Sequence, residues 1–344
     1  MVSEYAMKRS IRFGKLWLVL PLFAAAVPFW AGPAQATKSY YWDINSSVAG
    51  AGGATPSDRW DSGNLYWNPS SEGTSTCIPY ENNSFEVFFS AGADATGNYT
   101  ITVCGTRNAN KITVKDGTPK FVGESGNSKL FLFDTGTIDT TTCNPLFNVV
   151  IGGSVGLTKT GSGTLTLSGT NIYSGLTTIN VGTLQVGSGG TSGLVPGDIA
   201  NYGALVFNRS DNPIYGGAIS GSGTVTKNGA GVLTLQGANT YAGATTVNAG
   251  TLKLVGTNAV LNAWDPVLNR GGSDIQGGKM VFDYTTDGTT PASLIKGLLT
   301  TSYDASGQKR FDTGKFKSTT ADASHGLGWI DDTTSKQVKV AYTF

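Results

Sequence analysis

The sequence predicts an all-β fold, a parallel β-solenoid closed by a small C-terminal cap, and three observations carry that prediction. The first is a duplication: Leu157–Leu184 reads LTKTGSGTLTLSGTNIYSGLTTINVGTL and Val225–Leu252 reads VTKNGAGVLTLQGANTYAGATTVNAGTL. Lys159 falls on Lys227, Asn171 on Asn239 and Tyr173 on Tyr241, a constant shift of 68 residues, and 17 of the 28 positions are identical. The second is alternation, as in Leu165-Thr166-Leu167 and Leu184-Gln185-Val186, which is the period of a strand rather than a helix. The third is glycine, 48 in 344 residues, placed between these short strands at Gly161, Gly163, Gly169, Gly175 and Gly182. Each glycine disfavours a helix by about 1 kcal/mol relative to alanine but suits tight corners. Short strands joined by tight corners and repeated along a chain describe a coil of stacked rungs. At roughly 20 to 25 residues per rung, a typical size for such repeats, the 68-residue shift spans about three rungs.

The N-terminal residues belong to export rather than to the fold. Lys8, Arg9, Arg12 and Lys15 precede an apolar run from Leu16 to Ala31, and Ala34-Gln35-Ala36 has the small-x-small pattern of a cleavage site. Pro21 and Pro28 interrupt the run, which falls short of the roughly 20 apolar residues needed to span a bilayer. Residues 1–36 are therefore expected to be a signal peptide cleaved after Ala36, and no later stretch is apolar enough for a transmembrane helix. Residues 37–150 read as an irregular β-solenoid or β-rich region, with strand-like runs at Phe85–Phe89, Tyr99–Cys104, Lys111–Val114 and Lys129–Phe133. Residues 151–284 read as the regular solenoid, because Ile199–Phe207 is echoed by Asp274–Phe282. In the cap, residues 285–344, Thr290 and Pro291 open a helix carrying Leu294, Ile295, Leu298 and Leu299, and a strand from Val338 to Phe344 follows.

The two copies, TKTGSGTLTLSGTNIYSGLTTINVGTLQV and TKNGAGVLTLQGANTYAGATTVNAGTLKL, resemble the autotransporter-associated β-strand repeat, also called the passenger-associated transport repeat. Trp42-Asp43-Ile44, Gly50-Ala51-Gly52-Gly53, Trp60 and Gly326-Leu327-Gly328-Trp329 look like the ends of secreted members of that family. The resemblance implies a right-handed parallel β-helix passenger exported to the cell surface or beyond. It implies no activity, since the repeat is a scaffold. The roughly 60 residues after the solenoid are too few for even 8 barrel strands of about 9 to 11 residues each, so a passenger without a translocator barrel is expected.

Little in the chain points to catalysis. Residues 151–260 carry only Lys159, Asp198, Arg209, Asp211, Lys227 and Lys253 as charged groups, whereas glycoside hydrolysis needs two facing carboxylates and a lyase needs a base beside a cation. Asp331-Asp332 near His325 is the nearest acid/base cluster, but neighbours on a strand face opposite ways. Gly161-Ser162-Gly163 and Gly221-Ser222-Gly223 read as corners, because no helix follows either, and Asp198 and Asp274 read as isolated turn residues. Asn171 and Asn239, with Asn180 and Asn248, are expected to bond the backbone of the turns or to face solvent.

A net charge of +1 with scattered Lys and Arg gives no electrostatic case for binding nucleic acid, and no nucleic-acid partner is expected. No cofactor or metal set is expected. Cys77, Cys104 and Cys143 allow one disulfide in an oxidising compartment or three buried thiols. Tyr41, Trp42, Trp60 and Trp67, with Tyr40 and Tyr66, crowd the mature N-terminus and suit either a glycan-contacting face or a cap on the first rung. The expectation is a non-catalytic, monomeric, secreted or cell-surface scaffold, adhesin-like, contacting glycans or matrix. The alternative is a polysaccharide-active lyase or glycoside hydrolase on the same coil.

Overall fold

The computed structural model describes residues 38–82, 85–255, 272–276, 278–285, 290–302, 316–318 and 326–343; the predicted signal peptide, His325 and Phe344 lie outside them. The chain is a parallel β-solenoid with three faces. On the first, strands from Ser39–Trp42 to Ile219–Ser220 pair parallel. On the second, an 11-stranded sheet runs from Asp58–Trp60 to Phe316–Lys317. On the third, Ile214–Tyr215, Val232–Leu235, Thr251–Val255 and Lys279–Asp283 stack parallel. Pairing continues without a break from residues 37–150 into the repeats, because strand Lys129–Asp139 bonds both Val150–Gly152 and Leu157–Thr160.

Alternation builds the core. In Thr164–Leu167 and Val232–Leu235 every second side chain is buried, and register lines these residues into columns. One runs Phe121, Phe147, Leu167, Val186, Phe207, Lys227, Val247 and Ile275, with the Phe121 and Phe147 rings stacked 4.2 Å apart. Each buried aliphatic or aromatic side chain contributes about 1.5–3 kcal/mol, so every rung needs its neighbours.

Successive partners in the repeat region lie 19 to 22 residues apart, closer to 20 than the upper part of the expected range. The 68-residue shift is therefore three turns and a third, not three turns. Leu157–Thr160 and Thr164–Leu167 lie on the first and second faces, but their equivalents Thr224–Lys227 and Val232–Leu235 lie on the second and third. Ile199–Asn201 and its echo Ser273–Ile275 are displaced in the same way, from the first face to the second.

The C-terminal end changes the pairing. Strand Gln337–Thr343 lies antiparallel on Lys279–Asp283, and Gly326–Asp332 lies antiparallel on it in turn. Helix α1 (Ala292–Ser302) starts where Thr290 Oγ1 accepts the Ala292 amide at 3.2 Å, the usual N-terminal capping bond. It buries Ile295 and Leu299, leaves Leu298 partly covered and leaves Leu294 exposed, so the apolar face is narrower than the sequence suggested. One parallel strand, Phe316–Lys317, comes from beyond residue 284 and pairs with Ser273–Ile275. Among the described residues no helix is long and apolar enough to cross a membrane.

Candidate functional site

Strand period decides the fate of the N-terminal aromatics. In Ser39–Trp42 the alternating pattern turns Tyr40 and Trp42 inward and Tyr41 outward. Trp42 and Trp60 are 0% exposed and Trp67 is 1% exposed. Trp67 stands antiparallel to Trp42, with ring centroids 5.3 Å apart and planes at 78°. Trp60 packs edge-on against Tyr80 at 5.3 Å and against Phe89 at 5.5 Å, an edge-to-face geometry that rings favour. The Trp42 indole N–H is satisfied by Pro56 O at 2.8 Å. These three tryptophans are buried against one another in the core and offer no free face to a sugar. Tyr41 is partly exposed, but Phe88 stacks on its ring at 4.6 Å and the Lys115 ammonium lies over it.

The three cysteines are free thiols in three different settings. Cys77 Sγ faces Asp43 O at 3.6 Å, Cys104 Sγ faces Thr102 O at 3.4 Å and Cys143 Sγ faces Lys115 O at 3.3 Å. Burial raises all three thiols, Cys77 to about 11; such thiols are protonated and unreactive at neutral pH. Among the described residues no His, Cys, Asp and Glu are grouped to hold a metal ion. Asp331 and Asp332 have separate partners: Tyr284 Oη donates to Asp331, and Lys339 Nζ bonds Asp332 at 3.0 Å.

Inside the repeats the structure holds polar groups that the sequence reading did not place. Lys159 is 0% exposed, and its ammonium donates to Thr160 O, Gly161 O and Val181 O at 2.8, 2.7 and 3.1 Å. Lys227 is buried likewise and donates to Gly229 O and to Ala249 O. Burial lowers both ammonium groups, Lys159 to about 8 despite the carboxylate of Asp139. Parity was the available signal, since Lys159 is two residues from buried Leu157 and Lys227 two from buried Val225. Asn171 bridges three rungs, accepting from Ile151 N at 2.9 Å and donating to Leu194 O at 2.7 Å. Asn239 accepts from Ile219 N at 2.9 Å. Asn180 and Asn248 are exposed. Gly163 and Gly231 complete the set: a Cβ there would lie 1.8 Å from Cys143 O and 1.7 Å from Asp211 O.

An open groove of about 390 Å³ lies on the outer surface where strands Thr118–Gly123 and Leu146–Asn148 of the second face end and strand Val150–Gly152 begins. Its rim carries Ser125, Asn148, Thr170 and Ser192, all exposed, and its floor is Val149 and Gly169. Beside it, Phe131 and Phe133 point outward from Lys129–Asp139, between buried Leu130 and Leu132.

Residues 157–186 and 225–254 each match the family described as passenger-associated-transport-repeat. The chain carries two passenger-associated transport repeats. A curated relative, "Adhesin BmaC autotransporter" of Brucella suis biovar 1 (strain 1330), is 52% identical over 83 residues, which is 24% of this chain. The aligned part covers 2% of that relative's length. No solved structure matches the chain. Together these findings indicate an exported, cell-surface protein.

Proposed function

We propose that the protein is a non-catalytic surface scaffold of the adhesin kind, a monomeric coil whose outward side chains meet glycans or matrix. The observation that carries this reading is the 52% identity over 83 residues to a protein named as an adhesin autotransporter. Its repeats supply the physical basis. Buried lysine and asparagine side chains tie neighbouring rungs together within the repeats, which suits a coil that must keep its shape. Beads coated with the purified chain are expected to be retained on matrix-coated surfaces or cell monolayers under flow, above beads coated with an inert protein. Equal retention of the two bead types overturns the reading. So does release of reducing ends from soluble plant, algal or bacterial polysaccharides above a heat-killed control.

A further inference from the structure

We propose that the groove at the end of the second face is a binding site for a neutral oligosaccharide, read by Asn148, Thr170 and Ser192 and stacked on by the Phe131 ring. The proposal rests on the adhesin reading and gives it a site. It starts from the rungs themselves. Asn148, Thr170 and Ser192 stand on successive turns, and parallel rungs repeat at about 4.8 Å. That spacing is close to the length of one sugar in an extended chain, so a glycan lying along the coil crosses about one rung per ring and meets polar groups offset along the rungs, Asn148 standing opposite Ser168 and Thr170 opposite Leu194.

The chemistry of the lining selects the ligand. None of the groove-lining residues is ionisable, so neither an acidic nor a basic polymer finds a counter-charge in it. Ser128 and Ser168 are spent on internal bonds, Ser128 with Ser125 and Ser168 with Phe147 O and Asn148 Oδ1. The Asn148 Nδ2 group and the Thr170 and Ser192 hydroxyls have no partner among the described residues and stand exposed on the rim. They supply donors and acceptors matched to sugar hydroxyls.

The apolar half of the site lies one step along strand Val150–Gly152. Lys129 pairs with Val150 of the groove, and Phe131 pairs with Gly152. With no side chain on Gly152, Phe131 and Ile172 lean together over it; a Cβ there would lie 3.1 Å from the Phe131 ring and 3.4 Å from Ile172. A supported, outward ring beside a row of free polar groups is the usual combination of a site that binds an uncharged polar ligand.

The test uses the full chain and a panel of neutral cello-, manno-, xylo- and laminari-hexaoses, with oligogalacturonate as the anionic control, read by calorimetry. At least one neutral hexaose is expected to bind. Asn148→Ala with Thr170→Ala, and separately Phe131→Ala, are expected to weaken it by about tenfold with melting unchanged for the exposed pair. Phe131→Tyr, which keeps the ring, should restore binding and so separates stacking from folding. Tyr41→Ala should leave binding intact. Binding untouched by the groove variants, or confined to oligogalacturonate, overturns the site. No binding across the panel, with bead retention intact, also overturns the site but leaves the adhesin reading standing. Loss of retention itself overturns the adhesin reading.

Discussion

The two repeat copies make the same bonds on different faces of the coil. Ile151 N to Asn171 recurs as Ile219 N to Asn239, both at 2.9 Å. Tyr173 with Thr177 recurs as Tyr241 with Thr245, both at 2.7 Å. The lysine at Gly161 O and Val181 O recurs at Gly229 O and Ala249 O. These contacts are therefore properties of a rung and the rungs beside it, indifferent to which face carries them. What differs is the setting. Lys159 has Asp139 nearby and Lys227 has no such carboxylate among the causes of its shift. Asn171 reaches a carbonyl on the rung above, while Asn239 Nδ2 has no partner among the described residues.

The largest expected effect tests the sameness. Gly163→Ala and Gly231→Ala each force a methyl onto a carbonyl of the rung below, and each should cost about 3 kcal/mol in chemical denaturation. Unequal losses would show that the faces are not equivalent. The next effect tests the difference. Asn171→Ala strands the Ile151 amide and the Leu194 carbonyl, for about 3 kcal/mol, whereas Asn239→Ala strands one amide, for about 1.5 kcal/mol. Equal costs would break that distinction.

The last effect is a pH dependence. The folded Lys159 ammonium titrates at about 8, below its ordinary 10.5. Between those values the unfolded chain holds the proton and the folded chain releases it, so this group makes stability rise with pH across that window. It contributes no slope below it. Lys159→Met should remove about 2 kcal/mol of that rise between pH 8 and 10.5. An unchanged slope in the variant would assign the effect elsewhere.

Much of the coil was readable because stacking constrains sequence locally. Alternation at Leu165 and Leu167 and a gapless duplication are enough to specify parallel rungs. The rotation between copies was not readable, since an error of two or three residues in rung length, accumulated over three rungs, is a third of a turn. Parity in Tyr40-Tyr41-Trp42 says that neighbours oppose each other without saying which one faces in; the pairing of Trp67 with Trp42 decided that. The groove escaped notice for another reason. Its rim comes from four separate rungs, and Ser192 stands in a segment with no strand pattern of its own.

The one-third turn between copies also bears on how such a surface is encountered. In any array built by duplicating this unit at the same spacing, a given position appears on each side in turn and returns to its first side after three shifts. A substitution spread by duplication would thus be displayed all the way round the shaft, like the thread of a screw. A partner could then engage it from any direction of approach.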